Sequence, residues 1–368
     1  MVEPLNNNSY DAIIIGQGLA GSLLAWEMIQ HGIRVHVIDN HHHASASKVA
    51  AGIINPITGH RFNLTEQYSE FLDVARKTYV DIRHNLPNSD DFFFDIQQQR
   101  LIKNPGQRKY FEQRLMQESY AGFLTSPELD HANSADSFFS NPTHGIAEIK
   151  QSYHVDTSVL LCTLKTWLLQ QQALTNTVLS YEHLFFNNNH VQYHQDNIHI
   201  QADNIIFCEG FQAINNPWLT NLPFKLAKGD ILTIETQKQC EKLLNWGQWL
   251  LPSQQQPFQA RLGSSYIWND LSLVAEPNSA EKLLFSLKKN SNIQAKVIEH
   301  HTGIRPTTIN RKPLIGFHPD INNLYCFNGF GSKGCLSIPY YAKLFSRHFS
   351  QNMPLDRVFP TLSPVLAI

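Results

Sequence analysis

At 368 residues the chain is long enough to bury a large core, and its length suggests two domains. Its 29 basic and 31 acidic side chains leave a net charge of −2, which argues against a polyanionic partner in bulk and leaves room only for a local basic patch. No apolar run reaches the ~18 residues of a membrane span, and Met-Val-Glu-Pro-Leu-Asn lacks a signal peptide's basic and apolar regions.

A cytoplasmic protein is therefore expected. Cys162, Cys208, Cys240, Cys326 and Cys335 form no CxxC pair and no metal spacing, which predicts free, buried thiols and no metal site. The Asn-rich first nine residues read as a frayed tail.

Ile13, Ile14 and Ile15 form a short β-branched run of the kind found in parallel strands covered on both faces. The run stops at Gly16-Gln-Gly-Leu-Ala-Gly21. In a dinucleotide-binding turn Gly16 permits the tight reversal, Gly18 lets backbone approach a pyrophosphate, and Gly21 lets the next helix pack on the strand. Ala20, Leu23, Leu24, Met28 and Ile29 recur at helical spacing, so the helix starts at the turn and points its N–H groups at phosphate.

Val35-His-Val-Ile-Asp39 reads as a second strand whose terminal acid, about twenty positions on, suits ribose hydroxyls rather than a 2′-phosphate. Leu19, Ala20 and Asn40 flank these positions. A glycine turn alone is a common strand-to-helix connection, but strand, helix and distant acid together favour a dinucleotide, without choosing FAD over NAD. His41-His42-His43 reads as a solvated loop, since adjacent histidines rarely converge on one ion.

Residues 66–85 read as a helix, 92–96 and 101–102 as short strands, and 107–119 as a charged helix. Together they suggest a domain inserted into the nucleotide fold. A helix is expected over 159–171, with Asp156 or Thr157 as its N-cap. Asn204-Ile-Ile-Phe-Cys-Glu-Gly210 reads as a buried strand with a glycine at the end where ligands sit in open α/β sheets. Residues 222–300 read as strand-rich, with a turn at Lys228-Gly229-Asp230 and a helix over 279–289. A final helix is expected over 339–351, with Pro339 in its first turns, where a missing N–H costs little.

Three C-terminal segments add specificity: Gly303-Ile-Arg-Pro-Thr-Thr308, Lys312-Pro-Leu-Ile-Gly316, and Leu324-Tyr-Cys-Phe-Asn-Gly-Phe-Gly-Ser-Lys-Gly-Cys335. They read as two glycine-punctuated turns around one arginine. With the loop Ser45-Ala-Ser-Lys-Val-Ala-Ala-Gly52 and the strand end Phe207-Cys-Glu-Gly210, the chain resembles the D-amino-acid oxidase, glycine oxidase and sarcosine oxidase family of FAD-dependent amine oxidoreductases. The resemblance covers most of the chain and is weakest in the inserted part.

The resemblance implies an α/β fold in which a discontinuous, Rossmann-like FAD-binding domain (1–65, 145–215 and 301–368) carries a second α+β substrate domain on an antiparallel sheet (66–144 and 216–300). It implies non-covalent FAD, with Gly16, Gly18, Gly21 and Asp39 on the ADP half. Ser45, Ser47, Ala50, Ala51 and Gly52 would follow the pyrophosphate to the flavin ring, with Gly210 and Gly303 nearby. Gly329, Gly331, Ser332, Lys333 and Gly334 would lead into a helix that faces the reduced ring.

Arg305 matches the arginine that grips a substrate carboxylate and aims the α-carbon hydrogen at flavin N5. Trp249 and Tyr266 fall where glycine oxidases carry pocket side chains, and an ordinary core role fits them equally well. Lys333 or His301 would tune protonation, although no dedicated acid or base is required. Ser332 stands where glycine oxidases have a second arginine, so a different substrate is expected. Cys335 reads as a buried thiol beside the ring.

The implied reaction is two-electron oxidation of a carbon–nitrogen bond in a small amino acid or N-substituted glycine, by hydride transfer to the flavin and hydrolysis of the imine. Ala-Ala-Gly-Ile-Ile-Asn-Pro56 and Gly-Ser-Lys-Gly334 are also similar to the oxidase domain that removes carboxymethyl from 5-carboxymethylaminomethyl-uridine in tRNA. Near-neutral charge and the lack of a preceding methyltransferase domain rank tRNA second. A flavin-binding protein without turnover is the alternative from another class. Electron acceptor, stereoisomer and oligomeric state stay open.

Overall fold

A computed structural model describes residues 9–40, 45–86, 90–125, 137–140, 142–187 and 190–351. The amino-terminal tail apart from Ser9, and the histidines at 41–43, lie outside the described residues.

The isoleucine run forms the centre of the first sheet. Strand Ser9–Ile15 pairs in parallel with Val35–Asp39 on one side and Ile198–Phe207 on the other. Leu174–Asn176 extends one edge in parallel, and Leu324–Asn328 pairs in parallel with Ile198–Phe207. The five parallel strands therefore run third, second, first, fourth, fifth in chain order, the doubly wound arrangement expected. Ile14 packs into one core, while Ile13 and Ile15 pack into the other, which is why the run shows no alternation.

The second sheet runs Ala295–Arg305, Ala227–Thr236, Gln259–Gly263, Trp249–Pro252, Leu243–Asn245, Gln98–Leu101, Ile146–Ile149, Leu124–Thr125. It is antiparallel except where Leu243–Asn245 meets Gln98–Leu101 in parallel. Ile146–Ile149 and all of Ala295–Arg305 are strands of this sheet, across the boundaries expected at 145 and 301.

Helices Tyr68–Asn85, Pro105–Leu115, Thr157–Gln170 and Pro277–Asn290 occupy the expected segments, with Asp156 capping the third through Ser158 and Val159 N–H. No helix of the described residues is long and apolar enough to cross a membrane. All five cysteines are free; four are buried as expected, whereas Cys162 is exposed on the surface of Thr157–Gln170.

Two expected turns are strand. Lys228-Gly229-Asp230 lies inside Ala227–Thr236, and Lys228 and Asp230 are 1% and 0% exposed. Their polarity is satisfied by distant residues. Lys228 Nζ donates to Asp270 Oδ2 at 2.6 Å, Ser272 Oγ at 3.0 Å and the Val274 carbonyl at 2.6 Å. The Asp230 carboxylate accepts from the Ser279 and Thr302 hydroxyls. Gly303 is likewise in strand Ala295–Arg305, where its missing side chain admits Val49.

The final helix spans Gly334–Gln351, so Pro339 falls beyond the N-terminal positions that lack partners and deprives the Cys335 carbonyl of its helical donor. Tyr79, fully buried on Tyr68–Asn85, donates its hydroxyl to that carbonyl at 2.7 Å. Tyr79→Phe should therefore cost about 1–3 kcal/mol in denaturant unfolding. The cost should shrink in a Pro339→Ala background, where the backbone N–H is restored.

Candidate active site between the two sheets

The carboxyl ends of the parallel strands open into a cleft of about 470 Å³ that extends from Asp39 to Arg305. Its nucleotide end is made by the first turn. Gly16 adopts φ +102°, and a Cβ there would stand 2.7 Å from the Cys208 carbonyl oxygen. Gly21 does not line the cleft; a Cβ on it would meet the Gly16 oxygen at 1.8 Å, so its role is helix-to-strand packing.

Helix Leu19–Gln30 starts after Gly18, which brings no capping side chain of its own, and has no acid in its first turn. With Leu19 N–H held by Ser47 Oγ, the rest of this helix start turns its positive dipole toward the cleft. Gly18, Leu19, Ala20, Asp39 and Asn40 all line this end.

Gln17, between the glycines, carries a function the motif did not predict. Its backbone N–H donates to Asp39 Oδ1 at 2.8 Å, orienting the carboxylate. Its buried side chain donates to Ser22 Oγ and to the Leu161 carbonyl, tying the turn to two helices. Glu209 was also missed. It lines the cleft beside Gly210, accepts from Tyr181 Oη at 2.7 Å and Asn216 Nδ2 at 2.8 Å, and burial pushes its carboxyl pKa up.

The segment Ser45–Gly52, read as a loop of small residues, contains the four-residue helix Ala46–Val49 capped by Ser45. Ser47 Oγ accepts from Leu19 N at 3.0 Å, joining this wall to the first helix. Gly52 adopts φ +66°, and a Cβ there would stand 1.8 Å from the Val155 oxygen. Ser45, Ser47, Ala50, Ala51 and Gly52 all line the cleft.

At the far end, strand Ala295–Arg305 delivers Arg305. Its guanidinium carbon sits 4.3 Å from the Tyr266 ring centroid, and Nη1 donates to the Ser265 carbonyl at 3.3 Å. No carboxylate of the described residues pairs with it, and desolvation lowers its pKa. Arg305 is the only cationic side chain among the described residues that line the cleft. Gly229 forms its seat: a Cβ there would stand 2.2–2.4 Å from the guanidinium atoms.

Trp249 lines the cleft and, like Ala51 and Ile53, packs against Ile96, Leu243 and Leu251; it fits because Gly263 opposite carries no side chain. Tyr266 also lines the cleft and is 55% exposed, so it forms the mouth rather than core.

Gly303, Gly331, Ser332, Gly334 and Cys335 close the cleft where the last helix begins, again without an acid in its first turn. Gly331 N donates to the Pro306 carbonyl at 3.3 Å, joining this turn to the arginine's segment. Gly329 and Lys333 do not line it. Gly329, at φ +79°, shapes the turn against Thr308, and burial lowers the Lys333 pKa away from the cleft. His301 does not line the cleft either and instead contacts Glu299 and Thr233. Burial pushes the Cys335 thiol up to about 12, so it stays protonated. No metal-holding cluster occurs among the described residues.

Two helix starts with no acid in their first turns, glycines whose missing side chains let the walls of the cleft pack closely, and an oriented acid at the nucleotide end fit a long, negatively charged dinucleotide. The residue at the other end fits a small anion.

A protein-family model described as an FAD dependent oxidoreductase matches residues 11–348. An uncharacterized oxidoreductase of Bacillus subtilis, YurR, is 23% identical over 351 residues, covering 89% of this chain and 91% of that one. MnmC of Pseudoalteromonas atlantica, a bifunctional protein of tRNA 5-methylaminomethyl-2-thiouridine biosynthesis, is 24% identical over 200 residues, covering 45% of this chain and 28% of that protein. Among solved structures, glycine oxidase from Geobacillus kaustophilus has a TM-score of 0.82 at 14% identity, covering 98% of this chain and 100% of that one. Iminodiacetate oxidase from Chelativorans sp. has a TM-score of 0.77 at 18% identity, covering 95% and 99%. These structural likenesses show a shared fold.

Proposed function

Because this chain belongs to the FAD dependent oxidoreductase family of D-amino-acid oxidase type, with FAD as its cofactor, we propose that it oxidises the carbon–nitrogen bond of a small amino acid or N-substituted glycine. The observation that carries this reading is Arg305, a desolvated cation that lines the same cleft as Asp39 with no carboxylate partner among the described residues. A planar guanidinium in that setting grips one carboxylate through two parallel hydrogen bonds.

Bound FAD supplies the two-electron acceptor. The residues named in the cleft supply its hold: Gly16, Gly18, Leu19, Ala20, Asp39 and Asn40 at the ADP end, Ser45–Gly52 along the wall, and Gly331, Ser332 and Gly334 at the last helix. Arg305 fixes the substrate's α-carbon, Tyr266 covers the guanidinium, and Trp249 and Ile231 exclude water from the reacting centre. With one cation, the cleft suits one carboxylate.

Among the described residues the cleft is lined by no His or Lys, its carboxylates Asp39 and Glu209 are already held by Gln17 N–H and by Tyr181 and Asn216, and the Cys335 thiol stays protonated, so the substrate amine must arrive neutral. For this reason kcat/KM should rise about tenfold per pH unit up to the substrate's own amine pKa and then level. The inflection should move from one substrate to another as their amine pKa values move. A single inflection shared by amines of different basicity would contradict the reading.

A second reading places the same N-substituted glycine on a tRNA base. Its support is the mouth, where exposed Tyr266 and Trp268 lie 6.4 Å apart and Lys225 Nζ sits 5.0 Å from the Trp268 ring, a surface on which a base can stack. Oxidation of modified tRNA, with no turnover of free amino acids, would select it.

A further inference from the structure

The wall Ser45–Gly52 belongs to the nucleotide-binding part of the chain, yet its firmest grip comes from the second sheet. Arg261, on strand Gln259–Gly263, donates Nη1 to the Ala50 carbonyl at 2.6 Å and Nη2 to the Val49 carbonyl at 2.5 Å. These are the carbonyls at the end of helix Ala46–Val49, where a helix leaves its acceptors without N–H partners. Thr157 Oγ1 adds a weaker contact to Ala50 at 3.3 Å.

Arg261 itself is held firmly. Its backbone pairs with Thr233 on one side and Leu251 on the other, in the middle of the sheet. Two residues along the same face, Gly263 makes room for Trp249, so one strand sets both the wall and the pocket aromatic. Asp156 and Glu299 contribute only distant attraction to the guanidinium, and no ion pair of the described residues competes for it. The fork is therefore committed to the two carbonyls immediately before Ala51 and Gly52.

We propose that Arg261 is a positioning residue: it clamps the Val49–Ala50 carbonyls so that Ala50, Ala51 and Gly52 stand at the distance FAD requires, coupling the substrate-side sheet to the cofactor wall. The proposal rests on the family's cofactor and is independent of the substrate reading. Without the clamp, the end of a helix too short to hold itself moves, and FAD binds a looser wall.

The test is FAD titration of the apo-protein of Arg261→Met and Arg261→Lys beside the parent chain, read by Kd and by the visible spectrum of the bound flavin. Arg261→Met should weaken FAD binding by about tenfold to a hundredfold, as expected for two lost charge-assisted hydrogen bonds, and shift the flavin bands. Arg261→Lys should fall between, because an ammonium reaches one carbonyl and cannot fork to two. Melting of the apo-proteins separates a general loss of stability from an effect on the cofactor. If Arg261→Met is insoluble, Arg261→Lys alone carries the test: a Kd raised severalfold supports the clamp. FAD Kd and spectrum unchanged from the parent in either folded variant would overturn it.

Discussion

Arg305→Ala is expected to lower kcat/KM for carboxylate-bearing amines by about 10²–10³ while the purified protein stays yellow with bound FAD. The expected loss follows from the pairing: removing the cation from a desolvated carboxylate pair costs about 2–5 kcal/mol, most of it from the substrate charge left without a partner. FAD should be retained because Arg305 sits on the second sheet against Tyr266 and Ser265, whereas Asp39 and the first helix belong to the first sheet's side. Arg305→Lys should recover only part of the loss, since a point charge replaces a planar fork. Equal activity in Arg305→Ala would remove the basis for a carboxylate substrate.

Gly229→Ala should reproduce much of that phenotype without touching the arginine. A single methyl group at 229 would stand 2.2–2.4 Å from Nη2, Nη1 and Cζ of Arg305, far inside contact distance, so the guanidinium must leave its place on the Tyr266 ring. Gly229 lies in an ordinary strand and its φ is not left-handed, so alanine fits the backbone and the fold should persist. Misplacing a positioning group by about 1 Å costs roughly 10² in rate. The double variant Gly229→Ala/Arg305→Ala should be no worse than Arg305→Ala alone, because both changes remove one interaction. Full additivity of the two losses would show that Gly229 acts by another route.

The nucleotide end was legible in the sequence because its determinants are local. Ile13, Ile14 and Ile15, the three glycines, the helix and Asp39 all lie within thirty-one residues, 9–39, and each declares its backbone requirement by residue type. Gln17 was less visible, since its partners Asp39, Ser22 and Leu161 appear only when the chain is folded.

Lys228-Gly229-Asp230 was misread for the same reason in reverse. Lys-Gly-Asp has a turn's composition, but Lys228 pairs with Asp270 in a loop about forty residues away and Asp230 accepts hydrogen bonds from the hydroxyls of Ser279 and Thr302. Its glycine serves an arginine seventy-six positions later rather than a reversal of the chain. Pro339 misplaced the last helix because the proline tolerance of a first turn and the compensation offered by Tyr79 look alike in sequence. Lys333 sits within a glycine-rich cleft segment, yet its neighbours Ser332 and Gly334 line the cleft and it does not, a distinction of helix phase that residue type does not carry.

In the proposed reaction Arg305 selects an amine by its carboxylate and presents its carbon–nitrogen bond to bound FAD. Anaerobic mixing of the holoprotein with an N-substituted glycine and, separately, with the same amine lacking the carboxylate tests it most directly, read by loss of the oxidised flavin's visible band. Bleaching is expected with the carboxylate-bearing member of each pair and none, or far slower bleaching, with its partner. Equal bleaching by both, or a flavin that stays oxidised with every pair and with carboxymethylated tRNA, would contradict it.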